Sequence, residues 1–242
     1  MTTASIGPDG SQTTAIVVVY SRPTDFGQEV AWDAWYDDEE LAATATDGVR
    51  VVTRWETIDR PPGFSSPVGF SHVAIYELAT PDSAAALLDR VDREAGPGSG
   101  RHRVHTVIGV DVFAPVGTWS HKSQPSDALT GQVMAYVGPN DPRRDAEWNA
   151  WLDDIHVPDM LSSGAFSNAT RWVRTTPARF GPNYLTIYDV VLDSVAEAVQ
   201  LSGAAMGPAA RAGRLLDCHA GGLRAALRPA GRYGAAGYRG PS

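Results

Sequence analysis

The chain has 242 residues, of which 43% are hydrophobic and 20% charged, so its composition is that of a folded globular protein. Its formal net charge of −8 argues against nucleic acid as a partner. The single cysteine, Cys218, excludes an intramolecular disulfide and a cysteine-based zinc site. At this length the chain can form one large domain or two of roughly 120 residues each.

No targeting or membrane segment is evident in the sequence. The start lacks the basic and apolar regions of a signal peptide, and no run reaches the ~18 consecutive apolar residues of a membrane span. We therefore expect a cytoplasmic protein that makes no use of a membrane. Residues 1–13 are mostly small and polar, and we expect them to be disordered.

The first half of the chain predicts a mixed set of strands and helices. Strands are indicated by β-branched runs, and helices by apolar residues three and four positions apart, with Gly48 marking a helix end. The predicted elements are a strand at 15–20, a helix from 24 or 25 to 48, strands at 49–58 and 71–78, a helix at 84–94 and a strand at 104–113. This β-α-β-β-α-β order is that of the ferredoxin-like unit.

The same order restarts in the second half after a polar stretch without periodicity. The predicted elements are a strand at 132–137, a helix from 141 to 164, strands at 165–174 and 184–191, a helix from 193 and a strand at 222–227. The sequence therefore predicts a tail at 1–13, a domain at 14–117, a linker at 118–130, a second domain at 131–232 and a tail at 233–242.

An internal repeat connects the two halves. Three aromatic residues recur at a spacing of 116, namely Tyr20 with Tyr136, Trp32 with Trp148 and Trp35 with Trp151. Gly48 and Gly164 keep this spacing. Further on the spacing shifts slightly, and matches continue for Arg54-Trp55 with Arg171-Trp172 and Pro115-x-Gly117 with Pro229-x-Gly231. This ordered set indicates a tandem duplication.

Duplication of a ferredoxin-like unit predicts how the sheets are covered. Each four-stranded sheet has an apolar face that must be buried. Two units in one chain can pair these faces into an eight-stranded barrel with helices outside. The alternative is two chains that pair domain by domain.

The second half carries a motif that the first half keeps only in part. In chain order, the motif is Trp148-x-x-Trp151, His156-x-Pro158-Asp159, Gly164-Ala165-Phe166 and Ala169-x-Arg171-Trp172. It resembles the EthD-like branch of the dimeric α+β barrel superfamily, whose members carry Trp-Tyr-x-x-x-His-x-Pro on the first helix and Arg-Tyr or Arg-Phe on the second strand. The resemblance implies an α+β fold in which two tandem ferredoxin-like domains form one intramolecular barrel. Relatives include polyketide cyclases, cofactor-free oxygenases, isomerases, decarboxylases and haem enzymes, so the resemblance implies a cavity rather than one reaction.

His156 is the main catalytic candidate because it has no counterpart in the first half, where Glu40 takes its place. On a helix it lies at the edge of the apolar stripe, and Pro158 predicts a kink beside it. The carboxylates Asp154 and Asp159 can raise its pKa or fix its tautomer, and we assign them to the catalytic group. The alternative is that His156 only satisfies a backbone carbonyl at the break.

Aromatic and polar residues near this helix are candidates for substrate binding. They are Trp148, Trp151, Tyr136, Trp172, Arg171, Tyr188 and His72. Packing is the alternative for the tyrosines, and an ion pair with helix carboxylates is the alternative for Arg171. We interpret His102 and His105 as a solvated strand edge, and His219 shows no ligand partner at useful spacing. No dinucleotide, phosphate-loop, serine-hydrolase or metal motif is present.

Three functional hypotheses remain open. The first is a cofactor-free enzyme of natural-product biosynthesis that acts on a small aromatic or polyketide-like molecule by proton transfer, as a cyclase, isomerase or monooxygenase. The second is a haem enzyme with His156 as the axial ligand. The third is a binding or stress-related module without catalysis. The expected partner is a small apolar or aromatic molecule, and a homodimer is one alternative for the assembly.

Overall fold

The computed structural model describes residues 13–25, 27–36, 48–58, 69–95, 104–120, 129–177, 181–234 and 237–239. The first half contains β1 (Ala15–Pro23), α1 (Glu29–Trp35), β2 (Val49–Thr57), β3 (His72–Leu78), α2 (Ser83–Ala95) and β4 (His105–Ser120). The second half contains β5 (Gly131–Pro139), α3 (Asp145–Trp151), α4 (Val157–Ser162), β6 (Asn168–Arg174), β7 (Tyr184–Val190), α5 (Val195–Arg211), β8 (His219–Gly234) and β9 (Gly237–Arg239). A 3₁₀ turn (Pro142–Arg144) precedes α3, and a π-helix (Leu152–His156) joins α3 to α4.

Eight antiparallel strands close into a barrel within the single chain. The order is β2-β3-β1-β4-β6-β7-β5-β8, and β2 pairs with β8 to complete the ring. The two halves therefore meet at two seams, β4–β6 and β2–β8. The predicted fold class is confirmed, and the sheets cover each other without a second chain. No helix in the described ranges is long and apolar enough to cross a membrane.

The two long strands cross the seams, which explains why they exceed the predicted lengths. The first part of β4 pairs with β1, and its later part, from Phe113 to Ser120, pairs with β6. Likewise β8 pairs with β5 and then with β2. The repeated Pro-x-Gly sequences, Pro115-x-Gly117 and Pro229-x-Gly231, lie at equivalent β-bulges on the two seams. Because these extensions pair with strands of the other half, the residue pattern within one half did not predict them.

Several sequence predictions fall outside the described residues. They concern the tail at 1–12, the predicted helix at 37–47 with Glu40, the predicted strand edge at His102, and most of the linker. Where the linker start is described, β4 continues to Ser120. At the other end, β8 continues to Gly234.

Alternation along the strands divides the core into three layers. On β1, Ile16, Val18 and Tyr20 point into the barrel, whereas Val17 and Val19 point outward to the helices. The barrel interior is shared by both halves, and each half has its own layer between sheet and helices. This is the period-two pattern that a strand buried on both faces requires.

The barrel interior contains a buried polar network at its centre. The hydroxyls of the repeat partners Tyr20 and Tyr136 are hydrogen-bonded, and Tyr136 donates to Asp111 Oδ2 at 3.2 Å. Arg174 Nε lies 3.2 Å from Asp111 Oδ1, and both side chains are fully buried. Burial raises the pKa of the Tyr136 phenol well above its usual range. Asp111 on β4 and Arg174 on β6 come from different halves, so this ion pair ties the seam.

Removal of the buried carboxylate tests this role. Asp111→Ala leaves Arg174 without its buried counter-charge, and we expect the free energy of unfolding in urea to fall by about 3–5 kcal/mol. The matched control is Glu56→Ala, which breaks the solvent-exposed pair with Arg228 and should cost about 1 kcal/mol or less. Equal losses in the two variants would contradict a structural role for the buried pair.

Candidate active site in the second half

The segment that presents His156 is a π-helix. The Val157 N–H donates to the Leu152 carbonyl, five residues back, instead of to the residue four back. Pro158 follows at the start of α4 and has no N–H for the normal helical bond. The predicted break before Pro158 is therefore present, in the form of one wide turn rather than a sharp kink. Such π-bulges often occur at functional sites because they reorient side chains.

A cavity of about 250 Å³ lies between this segment, α5 and the outward face of the second-half sheet. Its walls are mostly apolar, with Val133, Ala135, Val137, Leu152, Met160, Phe166, Val199 and Met206. The polar residues on its wall are His156, Thr186, Tyr188, Ser202, His219 and Arg224. A mainly apolar pocket with a few convergent polar groups is the usual form of a small-molecule site.

The His156 ring is packed beside the cavity. It stacks on Trp151 with ring centroids 4.9 Å apart, and its centroid lies 5.7 Å from that of His219. Its pKa is lowered to about 4, first by burial and then by His219 and Arg224, and Asp159 opposes them with a smaller effect. The imidazole is therefore neutral at pH 7. Within the described residues neither ring nitrogen has a hydrogen-bond partner, so both the base and the donor are free for a ligand.

His219 is fixed in one tautomer by a tryptophan. Trp148 Nε1 donates to His219 Nδ1 at 3.1 Å, and the two rings are nearly parallel. Because Nδ1 is the acceptor, the ring proton of the neutral form is on Nε2. Burial, followed by the charge of Arg224, lowers the His219 pKa to about 4. His219 thus offers an oriented N–H donor to the cavity.

The first half repeats this tryptophan–histidine pair. Trp32 Nε1 donates to His105 Nδ1 at 3.1 Å, with stacked rings. The interpretation of His105 as a solvated strand edge was therefore wrong, and the sequence did not reveal the hydrogen bond that His219 accepts from Trp148. Their spacing of 114 equals that of the matched Pro115 and Pro229, and this signal in the sequence identifies them as repeat partners.

Three further polar groups reach the cavity from the sheet. Tyr188 stacks on Phe166 at 4.6 Å, and burial raises the pKa of its phenol above the usual range. The Thr186 hydroxyl is buried and has no hydrogen-bond partner among the residues that the structure describes. Arg224 has no carboxylate within ion-pair distance in the described part of the chain. Of the predicted substrate-binding residues, only Tyr188 lines this cavity.

Neither of the two predicted catalytic carboxylates is hydrogen-bonded to His156 in the described part of the chain. Asp154 is exposed and is not among the lining residues. Asp159 forms a two-point ion pair with Arg214, at 2.9 and 2.6 Å. Asp159 does raise the His156 pKa, as expected, but burial of the ring outweighs this charge, so the pKa is lowered overall.

The predicted aromatic and arginine wall is structural in this geometry. Arg171 is fully buried, pairs with Asp153 and donates to Asn149 Oδ1 at 2.7 Å. Its guanidinium carbon lies 5.3 Å from the Trp148 ring centroid. Trp151 packs behind His156, and its Nε1 donates to the Arg214 carbonyl at 2.7 Å.

Three other predicted residues lie on different faces of the molecule. Tyr136 and Trp172 point into the barrel interior, on the opposite side of the sheet from the cavity. His72 belongs to the first half, where its ring packs on Trp32 and its Nδ1 lies 2.9 Å from Ser71 Oγ. Its pKa is lowered to about 3 by burial and then by Arg54, His105 and Arg228. The sequence period could not distinguish the two faces of strands that are buried on both sides.

The architecture is a dimeric α+β barrel formed within one chain. No protein-family model matches the sequence. No curated protein matches it either. Among solved structures, it is similar to a candidate monooxygenase from Fusobacterium nucleatum, with 12% identity over 94% of this chain and 97% of that chain and a TM-score of 0.55. An anthrone oxidase-like protein is similar with 11% identity over 94% and 95% of the two chains and a TM-score of 0.55.

A third similar structure corrects the expectation of a cofactor-free protein. It is a heme-binding protein from Thermus thermophilus, with 8% identity over 90% of this chain and 91% of that chain and a TM-score of 0.53. Because the fold includes a cofactor-binding protein, the prediction that no cofactor is used does not stand. At these identities the likeness establishes the fold alone.

The lowered His156 pKa gives a direct prediction. In a histidine-labelled NMR titration, the His156 resonances should titrate at about pH 4 rather than near 6.5, with His156→Gln used for assignment. Between pH 6.5 and 4, His156 binds a proton in the unfolded chain but stays neutral in the folded chain. The free energy of unfolding should therefore fall as the pH drops from 6.5 to 4. A midpoint near 6.5 would contradict the buried, neutral ring.

Proposed function

We propose that the protein is an enzyme that binds a small aromatic or polyketide-like molecule in the second-half cavity and transfers a proton at His156. The proposal depends mainly on one observation, that a neutral imidazole with no hydrogen-bond partner among the described residues lines a mostly apolar cavity. A second imidazole beside it, His219, is already oriented as a donor. We place the reaction among cyclisation, isomerisation and monooxygenation, in natural-product biosynthesis.

The chemistry follows from the protonation states of the two rings. Neutral His156 accepts a proton from an acidic carbon or a phenol of the bound molecule. The His219 Nε2–H then donates to the oxygen on which negative charge develops. A positioned acid or base typically contributes 10²–10⁴-fold to the rate. The apolar walls strengthen both interactions because they exclude water.

The EthD-like relationship is part of the same proposal. The motif residues have specific roles that support it, since Trp148 orients His219 and Arg171 anchors the helix through Asp153. The similarity in fold to an anthrone oxidase-like protein favours an aromatic substrate. We retain 14–117 and 131–232 as the duplicated units, and a homodimer remains a prediction.

A haem enzyme is the second candidate, favoured by the donor chemistry of one residue. Iron binds neutral imidazole, and His156 presents a neutral ring with no competing hydrogen bond in the described residues. His156 would hold the iron, which would supply redox chemistry. A cavity of about 250 Å³ is below the roughly 300–1,000 Å³ of pockets for drug-sized ligands, so its size favours a molecule smaller than a porphyrin.

The first test is loss of turnover in His156→Ala. Against a panel of aromatic polyketides and phenols, kcat/KM should fall at least 10²-fold because the proton acceptor is gone. The thermal midpoint should change little, since the ring has no hydrogen bond to lose in the described structure. The matched control is His105→Gln in the first half, which keeps an acceptor for Trp32 and should retain activity. Full activity of His156→Ala would rule out the proposed role, and binding without turnover by the wild type would favour a binding module.

A haemin titration separates the two candidates. If haem is the cofactor, one equivalent of added haemin should give the wild-type protein a sharp Soret band, and His156→Ala should shift or abolish this band. If His156 acts in proton transfer and binds no haem, neither the wild type nor His156→Ala should change the absorption spectrum of free haemin. A Soret band that His156→Ala leaves unaltered would exclude His156 as the axial ligand.

A further inference from the structure

The two halves provide an internal comparison at the cavity. In the second half, Ala135 on β5 pairs with Thr186 on β7 and with Arg224 on β8. In the first half, the repeat partner of Ala135 is Val19, which pairs with two apolar residues, Ala74 and Val110. The sheet register thus shows that the duplicated scaffold accepts apolar residues at both positions. The polar pair of the second half is therefore not required by the fold.

A β-bulge directs Arg224 toward the cavity. His219 and Arg224 are five positions apart, so a regular strand would place them on opposite faces. Ala135 pairs with Arg224 and Val137 with Gly221, which leaves two β8 residues opposite one residue of β5. This extra residue brings Arg224 back to the same face of the sheet as His219, and both side chains line the cavity.

Arg224 makes the cavity electropositive. It lowers the pKa values of His156 and His219, and it opposes the rise caused by burial in Tyr188. None of these groups carries a compensating negative charge at pH 7. The nearby carboxylate of Asp159 is bound by Arg214. A partly buried guanidinium without a carboxylate partner is costly, unless a ligand supplies the counter-charge.

Thr186 adds an unpaired donor in the same row. The residue is 1% exposed, and in the described part of the chain its Oγ1 has no hydrogen-bond partner. Buried hydroxyls are normally hydrogen-bonded, so an orphaned one in a cavity wall indicates a place for a ligand atom. Between Thr186 and Arg224 stands the methyl group of Ala135, which leaves room above the sheet.

We propose that Arg224 and Thr186 form an anion subsite at the sheet side of the cavity, and that the ligand is an aromatic molecule with a carboxylate. The guanidinium donates to the carboxylate oxygens, and the threonine hydroxyl donates one further hydrogen bond. The apolar walls and the stacked Phe166–Tyr188 pair receive the ring. This inference rests on the proposed function, because it concerns the molecule on which His156 acts.

Binding of two matched probes tests the subsite. 2-Naphthoate and its neutral amide, 2-naphthamide, have the same ring and nearly the same shape. By isothermal titration calorimetry at pH 7, the wild type should bind 2-naphthoate about 10- to 100-fold more tightly than 2-naphthamide. This difference is the usual contribution of a hydrogen bond to a charged group. Arg224→Val, which carries the residue of the first half, and Arg224→Gln should lose this preference. Thr186→Ala should weaken naphthoate binding by a smaller factor.

Control variants separate this inference from the proposed function. Arg228→Val removes an exposed arginine of the same strand that pairs with Glu56, and it should keep the preference. His156→Ala should also keep the preference while it loses turnover. Equal binding of both probes to the wild type, or a preserved preference in Arg224→Val and Arg224→Gln, overturns the anion subsite but leaves the cavity and His156 in place. If neither probe binds, the inference and the proposed aromatic site fall together.

Discussion

Mutual burial of two apolar sheet faces is the constraint on which this structure depends. A single ferredoxin-like unit leaves one face of its sheet uncovered, and the duplication places a second such face on the same chain. Closure requires antiparallel pairing at both seams, β4–β6 and β2–β8, and the bulges at Pro115 and Pro229 shape the two seams alike. Side chains of both halves consequently pack in the barrel interior, and among the described residues a cavity for a ligand lies between the second-half sheet and its helices.

Duplication also explains how a site can differ from its scaffold. Trp148 with His219, and Trp32 with His105, maintain the same helix–sheet contact in both halves. The residues that form these packing contacts are thus repeated in both halves. Beside the cavity, the second half has Arg224 and Thr186 at positions where the first half has apolar residues. His156 is the last residue of the π-helix and lines the same cavity. The second half has diverged at the positions that face empty space, where a polar group costs stability unless a ligand meets it.

The sequence predicted the barrel because repeated residues carry the fold. The spacing of Tyr20 and Tyr136 revealed the duplication, and Pro158 indicated the break in the helix beside His156. Two properties of the site could not be read in this way. The sequence did not show to which side of the sheet Tyr136 and Trp172 point, because their strands are buried on both sides. The side to which Arg224 points depends on a β-bulge, which the alternation of apolar and polar residues does not reveal. The pKa of His156 was misjudged because its burial arises from tertiary packing, whereas the acidic neighbours are visible in the sequence.

The proposed site requires that the second-half cavity holds an anionic aromatic ligand between Arg224 and His156. A crystal structure of the protein soaked with 2-naphthoate tests it most directly. We predict density for the ring among Phe166, Tyr188 and the apolar wall, with the carboxylate at Arg224 and the ring edge beside His156. A ligand bound elsewhere with the cavity empty, or a ligand turned so that its carboxylate faces away from Arg224, would contradict the account.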